Sequence, residues 1–437
     1  MSDSVLENSS SVNRLVAPDT LPVSKVAIQQ AVTSKLTNGI TVHSIDAGFQ
    51  DLVRVEFLFE NKVFNPDSPA LVSAVNRLVT EGTSRHTALQ IAEMVDDYGA
   101  FLETEESADT CSVVLYTLNK HLDKTLPVVR EVLTEAAFPD SEVELYRRNQ
   151  IQRLVVENEK VNSIARRKFN QLLFGEHHPY GHLVTRRDYE ALTHDDLLQY
   201  HRANYSADRC VIFVAGRVTD ETLRVLEKEF GSEKWGASNA VQKQFGSIQS
   251  TEAKLHFQEK EGALQSAIRI GRSMITRSHP DYPGMAVLNT LLGGYFGSRL
   301  MSNIREDKGY TYGIGSAMVS LREAGYFFIS TEVGADVTNS ALEEIYKEVH
   351  RLQQEPADIA ELTTVRNYLS GTFLKSIDGP FALIDRFKTL KLSGLGYDYY
   401  DKYLETVRNI QPQQLQELAI RYFQKNNLLE LVVGLKK

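Results

Sequence analysis

The sequence predicts an α+β protein made of two similar halves, and three observations lead there. Stretches alternating polar and apolar residues every second position stand beside stretches with helical periodicity, so strands and helices share the chain. The second half then repeats the order of the first. LQSAIRIGR (264–272) stands where VRVEFLF (53–59) stood, and HPDYPGMAVLNTLLGG (279–294) where NPDSPALVSAVNRLVTEG (65–82) stood. Between them KWGASNAVQKQFGSIQS (234–250) has no periodicity and is rich in Gly, Ser, Asn and Gln, as a linker is. The expected divisions are an arm at 1–25, a first domain at 26–233, that linker, and a second domain at 251–437. With 437 residues, 42% of them hydrophobic, both domains can hold a core.

After the turn signal Asn38-Gly39, ITVHSI (40–45) and VRVEFLF alternate like half-buried strands. A helix at 69–80 follows, with Leu71, Val72, Val75, Leu78 and Val79 on one buried face and Gly82 closing it. Next come a helix at 87–98, a strand at 110–118, and a helix running from near Pro127 to Phe138. A long charged helix is expected from an N-cap at Ser141 to residue 174, then a helix at 194–200, the strand RCVIFVAG (209–216) and a helix at 219–230. In the second half, residues 312–333 supply strands, clearest in SLREAGYFFIST, and 340–353 form a helix with Leu342, Ile345, Val349 and Leu352 on one face. A long helix at 357–375 and a closing strand at 427–435 complete the repeat.

A net charge of −9 argues against nucleic-acid binding, and no apolar run is long enough to cross a membrane. The start, MSDSVLENSSSVNRLV, lacks the basic head and apolar core of a secretory signal; with Pro18 and Pro22 it reads as an extended arm. Cys111 and Cys210 lie in strand-like runs and are expected as buried free thiols in a reducing compartment, which points to the cytoplasm. No phosphate loop, nucleophile elbow or C-x-x-C occurs.

On the second face of helix 69–80, Ser73, Asn76 and Arg77 fall at i, i+3 and i+4, over one spot. That is the spacing of H-x-x-E-H, in which two imidazoles grip zinc beside a glutamate that activates water. Ser and Asn are poor zinc ligands, and a guanidinium repels the ion. The surroundings, LVTEGT followed by TALQIAEMVDDYGAFLE (87–103), resemble the insulinase/pitrilysin family of inverted zinc peptidases. In that family the third ligand lies 76 residues beyond the second histidine, which here is Arg153.

The resemblance extends to IREDKGYTYG (304–313), preceded by LLGGYFGSRL (291–300). By spacing alone, Arg305 and Tyr312 fit a surface charge and a core aromatic as well as a functional pair. The family resemblance implies the functional pair: the tyrosine donating to the oxyanion of peptide hydrolysis and the arginine holding a substrate carbonyl. Gly293 and Gly294 fit either a side-chain-free approach for a peptide or partner or a plain turn, and by the resemblance an edge strand near 107–116 would receive a substrate backbone. His177, His178 and His182 offer a rival metal cluster, but Pro179 and Gly181 break any helix there, so a structural loop is expected.

Family members lacking the zinc ligands and keeping the Arg/Tyr pair are similar to the non-zinc subunits of heterodimeric peptidases. The resemblance therefore implies two antiparallel-rich halves forming half of a clam-shell chamber, no metal in this chain, and zinc in a homologous H-x-x-E-H partner. It also implies a peptide substrate, no nucleic acid or membrane partner, and no activity in the chain alone. The alternative is a catalytically inert binding or scaffold protein of the same fold.

Overall fold

The computed structural model describes residues 15–16, 26–61, 64–236 and 245–435. Most of the expected arm, and residues 237–244 of the expected linker, lie outside the described residues.

The first half runs β1 (Val32–Lys35), β2 (Thr41–Asp46), β3 (Leu52–Glu60), α1 (Leu71–Leu78), α2 (Ala88–Asp96), β4 (Phe101–Glu106), β5 (Thr110–Leu118), α3 (Leu122–Glu135), α4 (Asp140–Glu159), α5 (Val161–Phe174), α6 (Arg186–Glu190), α7 (His194–Asn204), β6 (Cys210–Gly216) and α8 (Asp220–Phe230). The second runs β7 (Leu255–Glu259), β8 (Gln265–Met274), α9 (Tyr282–Asn289), β9 (Ile314–Ser320), β10 (Gly325–Gly334), α10 (Thr338–Gln354), α11 (Ile359–Lys375), α12 (Pro380–Leu392), α13 (Asp398–Asn409), α14 (Pro412–Tyr422) and β11 (Leu429–Gly434).

The two sheets share one topology. The first is ordered β1-β2-β6-β3-β5-β4 and the second β7-β11-β8-β10-β9. In each, one parallel pair (β2 with β6, β7 with β11) adjoins an antiparallel series. Matching β2–β6 to β7–β11 in chain order reproduces every neighbour, with β1 as the one addition.

Each sheet needs the other half to be covered. In the first, Val53, Val55, Phe57 and Phe59 of β3 face the helices of their own half, while Leu58 on the alternate face packs with Leu383 and Ile384 of α12. In the second, Ala267 of β8 and Leu429, Leu431 and Val433 of β11 pack against Ala165, Phe169 and Leu173 of α5. One helix of each half, α5 and α12, thus lies on the sheet of the other.

This exchange explains two departures from the sequence reading. VRVEFLF alternates like a half-exposed strand, yet β3 is buried on both faces. Arg54 and Glu56, 3% and 1% exposed, form an ion network with α12. Arg54 Nη1 donates to Asp385 Oδ1 at 2.7 Å and Nη2 to Glu56 Oε2 at 2.9 Å, while Lys388 Nζ donates to both Glu56 oxygens at 2.9 Å. The single helix expected at 141–174 is broken at Lys160, whose extended φ −96°, ψ 116° turns the chain. Downstream, Val161, Ala165, Phe169 and Leu173 recur at i+4 steps and aim at the second sheet.

Other boundaries differ for local reasons. Pro127 sits inside α3, which begins five residues earlier. The helix over 87–98 ends at Asp96, capped at Asp97, and Gly99 at φ +60° redirects the chain into β4, a strand the sequence reading missed. β7, α12, α13 and α14 were likewise not anticipated.

Two outcomes follow from these contacts. Lys388→Met leaves Glu56 buried with half its counter-charge and should cost about 3 kcal/mol. Because the pair joins the halves, Trp235 fluorescence, which reports the first half, and far-UV circular dichroism should show one shifted urea transition; two separate transitions would contradict the exchange. Burial pushes His43 and His201 down to about 4, with Lys391 adding to the effect at His43. Both stay neutral when folded but take up protons when unfolded below about pH 6.5. Stability should therefore be unaffected above that pH and fall between about 6.5 and 4, by up to about 1.4 kcal/mol per pH unit for each histidine. His201→Gln should flatten this acid limb in urea titrations; an unchanged slope would exclude His201 as a contributor.

Candidate functional site

In the first half, α1 is tied to β4 by Ser73 and Asn76, the positions of the first histidine and the glutamate of H-x-x-E-H. Ser73 Oγ donates to Glu106 Oε2 at 2.7 Å. Asn76, 2% exposed, donates from Nδ2 to the Glu105 carbonyl at 3.0 Å and accepts at Oδ1 from the Tyr205 hydroxyl at 3.2 Å. Its burial corrects the expectation that Ser73, Asn76 and Arg77 share one outward face; only Arg77 is exposed. Arg153 on α4 is 69% exposed and donates from Nε to Glu157 at 3.1 Å. Burial raises the Glu106 carboxyl above its usual range, against the lowering effect of the Ser73 hydrogen bond. A hydroxyl, an amide and two guanidiniums, with hydroxyl and amide already engaged, do not fit zinc.

The expected edge strand is also displaced. β5 pairs with β3 on one side and β4 on the other, so the free edge belongs to β4. Glu103, Glu105 and Glu106 make that edge acidic. Sequence reasoning missed it because three of the six residues of FLETEE are glutamates, which are depleted in strands.

In the second half, α9 continues into a π-helical turn at Thr290–Gly294, and a second π-helical segment spans Met301–Asp307. Such widened turns are rare and often mark functional places. The second carries Arg305. Its Nε donates to the Tyr312 carbonyl at 3.0 Å, and its guanidinium lies 4.8 Å from the centroid of Phe296, a contact no sequence signal announced.

Between the pair, Ile304 is buried and Tyr310 N–H donates to its carbonyl at 3.0 Å. Thr311 Oγ1 donates to the Glu332 carbonyl on β10 at 2.7 Å, and Thr331 Oγ1 to the Gly313 carbonyl at 3.0 Å. The backbone on both sides of Tyr312 is therefore anchored, yet its side chain is 97% exposed. Gly293 is buried against β9, where an added Cβ would meet the Ser316 nitrogen at 2.7 Å, so its missing side chain serves internal packing. Gly294 is half-buried, and a Cβ there would meet Asn289 at 3.1 Å. Contacts place Ser73 and Asn76 beside β4 and join Arg305 to Tyr312; none among the described residues links the two groups.

The histidine loop is structural. His178 is buried beside Phe174 and accepts from the Tyr180 N–H at 3.2 Å, and His182 Nδ1 lies 2.7 Å from the Glu176 carbonyl. Among the described residues, no group of three His, Cys, Asp or Glu is placed to hold a metal ion. Cys111 and Cys210 are buried free thiols, and burial pushes that of Cys111 up to about 12. Among the described residues no helix is long and apolar enough to cross a membrane.

Residues 191–369 match the family model described as "Peptidase M16 inactive domain". An uncharacterized zinc protease of Bacillus subtilis, YmxG, is 24% identical over 413 residues, covering 94% of this chain and 98% of its own. Two crystal structures share the fold. The peptidase M16 inactive domain from Pseudomonas fluorescens has a TM-score of 0.81 at 19% identity, covering 94% of this chain and 99% of that one. A protease from Helicobacter pylori has a TM-score of 0.83 at 16% identity, covering 93% and 100%. The duplicated sheets, the sequence match and the shared fold agree: the chain has the fold of M16 peptidases and is similar over residues 191–369 to that family's inactive domain, without the H-x-x-E-H motif.

Proposed function

We propose that this chain is the non-zinc-binding subunit of a heterodimeric zinc peptidase, bringing Arg305 and Tyr312 to a homologous partner that carries H-x-x-E-H. The observation that carries this reading is the state of Tyr312. A tyrosine kept for packing would bury its ring, whereas this one projects fully into solvent from a backbone anchored on both sides, with its arginine held by Phe296.

Peptide cleavage would draw its activated water from the partner's zinc. On this side, the Tyr312 hydroxyl would donate to the oxyanion and Arg305 would hold a neighbouring carbonyl through its terminal guanidinium nitrogens, one of which lies 3.7 Å from Glu306 Oε1. The two chains would enclose the peptide in a shared clam-shell chamber, with Gly294 at its approach. The acidic β4 edge would favour basic segments laid against it as an added strand. The chain alone would be inactive, and its buried free thiols fit a cytoplasmic address. The contrasting reading is an inert scaffold of the same fold, in which the exposed pair does nothing.

Tyr312→Phe in the assembled pair should lower kcat by about 100-fold, the usual cost of one oxyanion donor. KM and co-elution of the two chains should be unchanged. An unchanged kcat would remove Tyr312 from catalysis and favour the scaffold.

A further inference from the structure

We propose that the second half also holds a binding site for a small carboxylate anion bearing an aromatic or apolar group, in a cavity between α9, α11, α12 and α13. The proposal stands apart from the peptidase reading, since the cavity shares none of the residues placed in that chemistry.

The cavity is about 160 Å³. That is roughly five times the ~30 Å³ occupied by a water molecule in the liquid. It is too small for a nucleotide or a stretch of peptide and suits one compact acid.

Two arginines open into it, Arg277 just before α9 and Arg386 on α12. Arg54 meets Glu56 and Asp385, Arg299 meets Glu361, and Arg322 meets Glu60, whereas the buried Arg269 forms no ion pair among the described residues. Among the described residues, neither Arg277 nor Arg386 forms an ion pair. The Nε of Arg277 is buried without a hydrogen-bond partner. That of Arg386 donates to the Ser376 carbonyl at a long 3.4 Å, and its side chain also hydrogen-bonds that of Tyr400. Both arginines line this one cavity beside Tyr400 and Tyr403, so two positive charges share one small space. Two like charges so placed repel, and an anion between them converts that repulsion into attraction.

The remaining lining fits the same ligand. Tyr399 and Tyr403 make no hydrogen bond through their hydroxyls to any described residue, and burial holds Tyr403 protonated up to about 12, so both can donate at neutral pH. Leu369 and Phe373 supply an apolar wall for a ring or short alkyl group. A carboxylate can accept two parallel bonds from a guanidinium fork, with a phenol completing its shell.

Titration calorimetry of the full chain with benzoate, against the neutral isostere benzamide and inorganic phosphate, tests this. Benzoate should bind, benzamide should not, and phosphate should bind at least tenfold more weakly for want of an apolar group. Arg277→Gln and Arg386→Gln should each weaken benzoate at least tenfold. Tyr403→Phe, which removes one hydroxyl, should weaken it severalfold and gives a readout should an arginine variant misfold. N-acetylphenylalanine, larger than the cavity, should bind more weakly than benzoate; equal or tighter binding would overturn the small-acid assignment in favour of a peptide C-terminus. Equal binding of benzoate and benzamide, no binding of benzoate, or full retention in Arg277→Gln would overturn the site.

Discussion

Everything in this molecule depends on the exchange of one helix, α5 or α12, between its halves. A five- or six-stranded sheet with helices on one face leaves the other face to be covered, and here each half covers its neighbour: α5 closes the second sheet and α12 the first. Each fully buried leucine, isoleucine or phenylalanine in these layers contributes on the order of 2 kcal/mol. The Arg54–Glu56–Asp385–Lys388 network adds little net stability but fixes register, because any sliding of α12 strands a buried charge. Neither half is a complete domain without the other.

That arrangement leaves equivalent strands, β4 and β9, at the corresponding edge of each sheet, opposite the edges formed by β1 and β7. Duplication supplies two similar frames, and the chemistry placed on them has diverged. Beside β4, Ser73 and Asn76 fasten helix to strand and Arg77 and Arg153 face solvent, a polar cluster with no ligand set for zinc. Leading into β9, two π-helical segments widen the helix and carry Arg305 to the surface beside the anchored Tyr312. Internal bonds occupy one site, while the other presents an unengaged phenol.

Much of this was legible because periodicity and order survive where identity does not. The repeat, the apolar face of α1 and the seven-residue spacing of Arg305 and Tyr312 were visible in the chain. The face of β3 was not: Arg54 and Glu56 look like solvent residues unless α12 is known to lie on them, and that contact joins positions over 300 residues apart. The break at Lys160 was hidden because charged residues of α4 run into α5 without Gly or Pro. β4 escaped notice because three of its six residues are glutamates, tolerated because the strand is an edge with one neighbour. The support of Arg305 by Phe296 depends on a π-helical turn that a 3.6-residue period cannot reveal.

The claim that this chain works as half of a two-chain peptidase is tested most directly by its state when purified at native abundance from its own cells under mild salt. Light scattering, zinc analysis and a peptide-cleavage assay on the same fraction should find a complex of about twice the 49.2 kDa chain mass. That complex should contain one zinc, carried by a second chain with H-x-x-E-H, and show activity that a chelator abolishes. A chain that elutes alone or only with copies of itself, free of zinc and inert toward peptides, would contradict the claim.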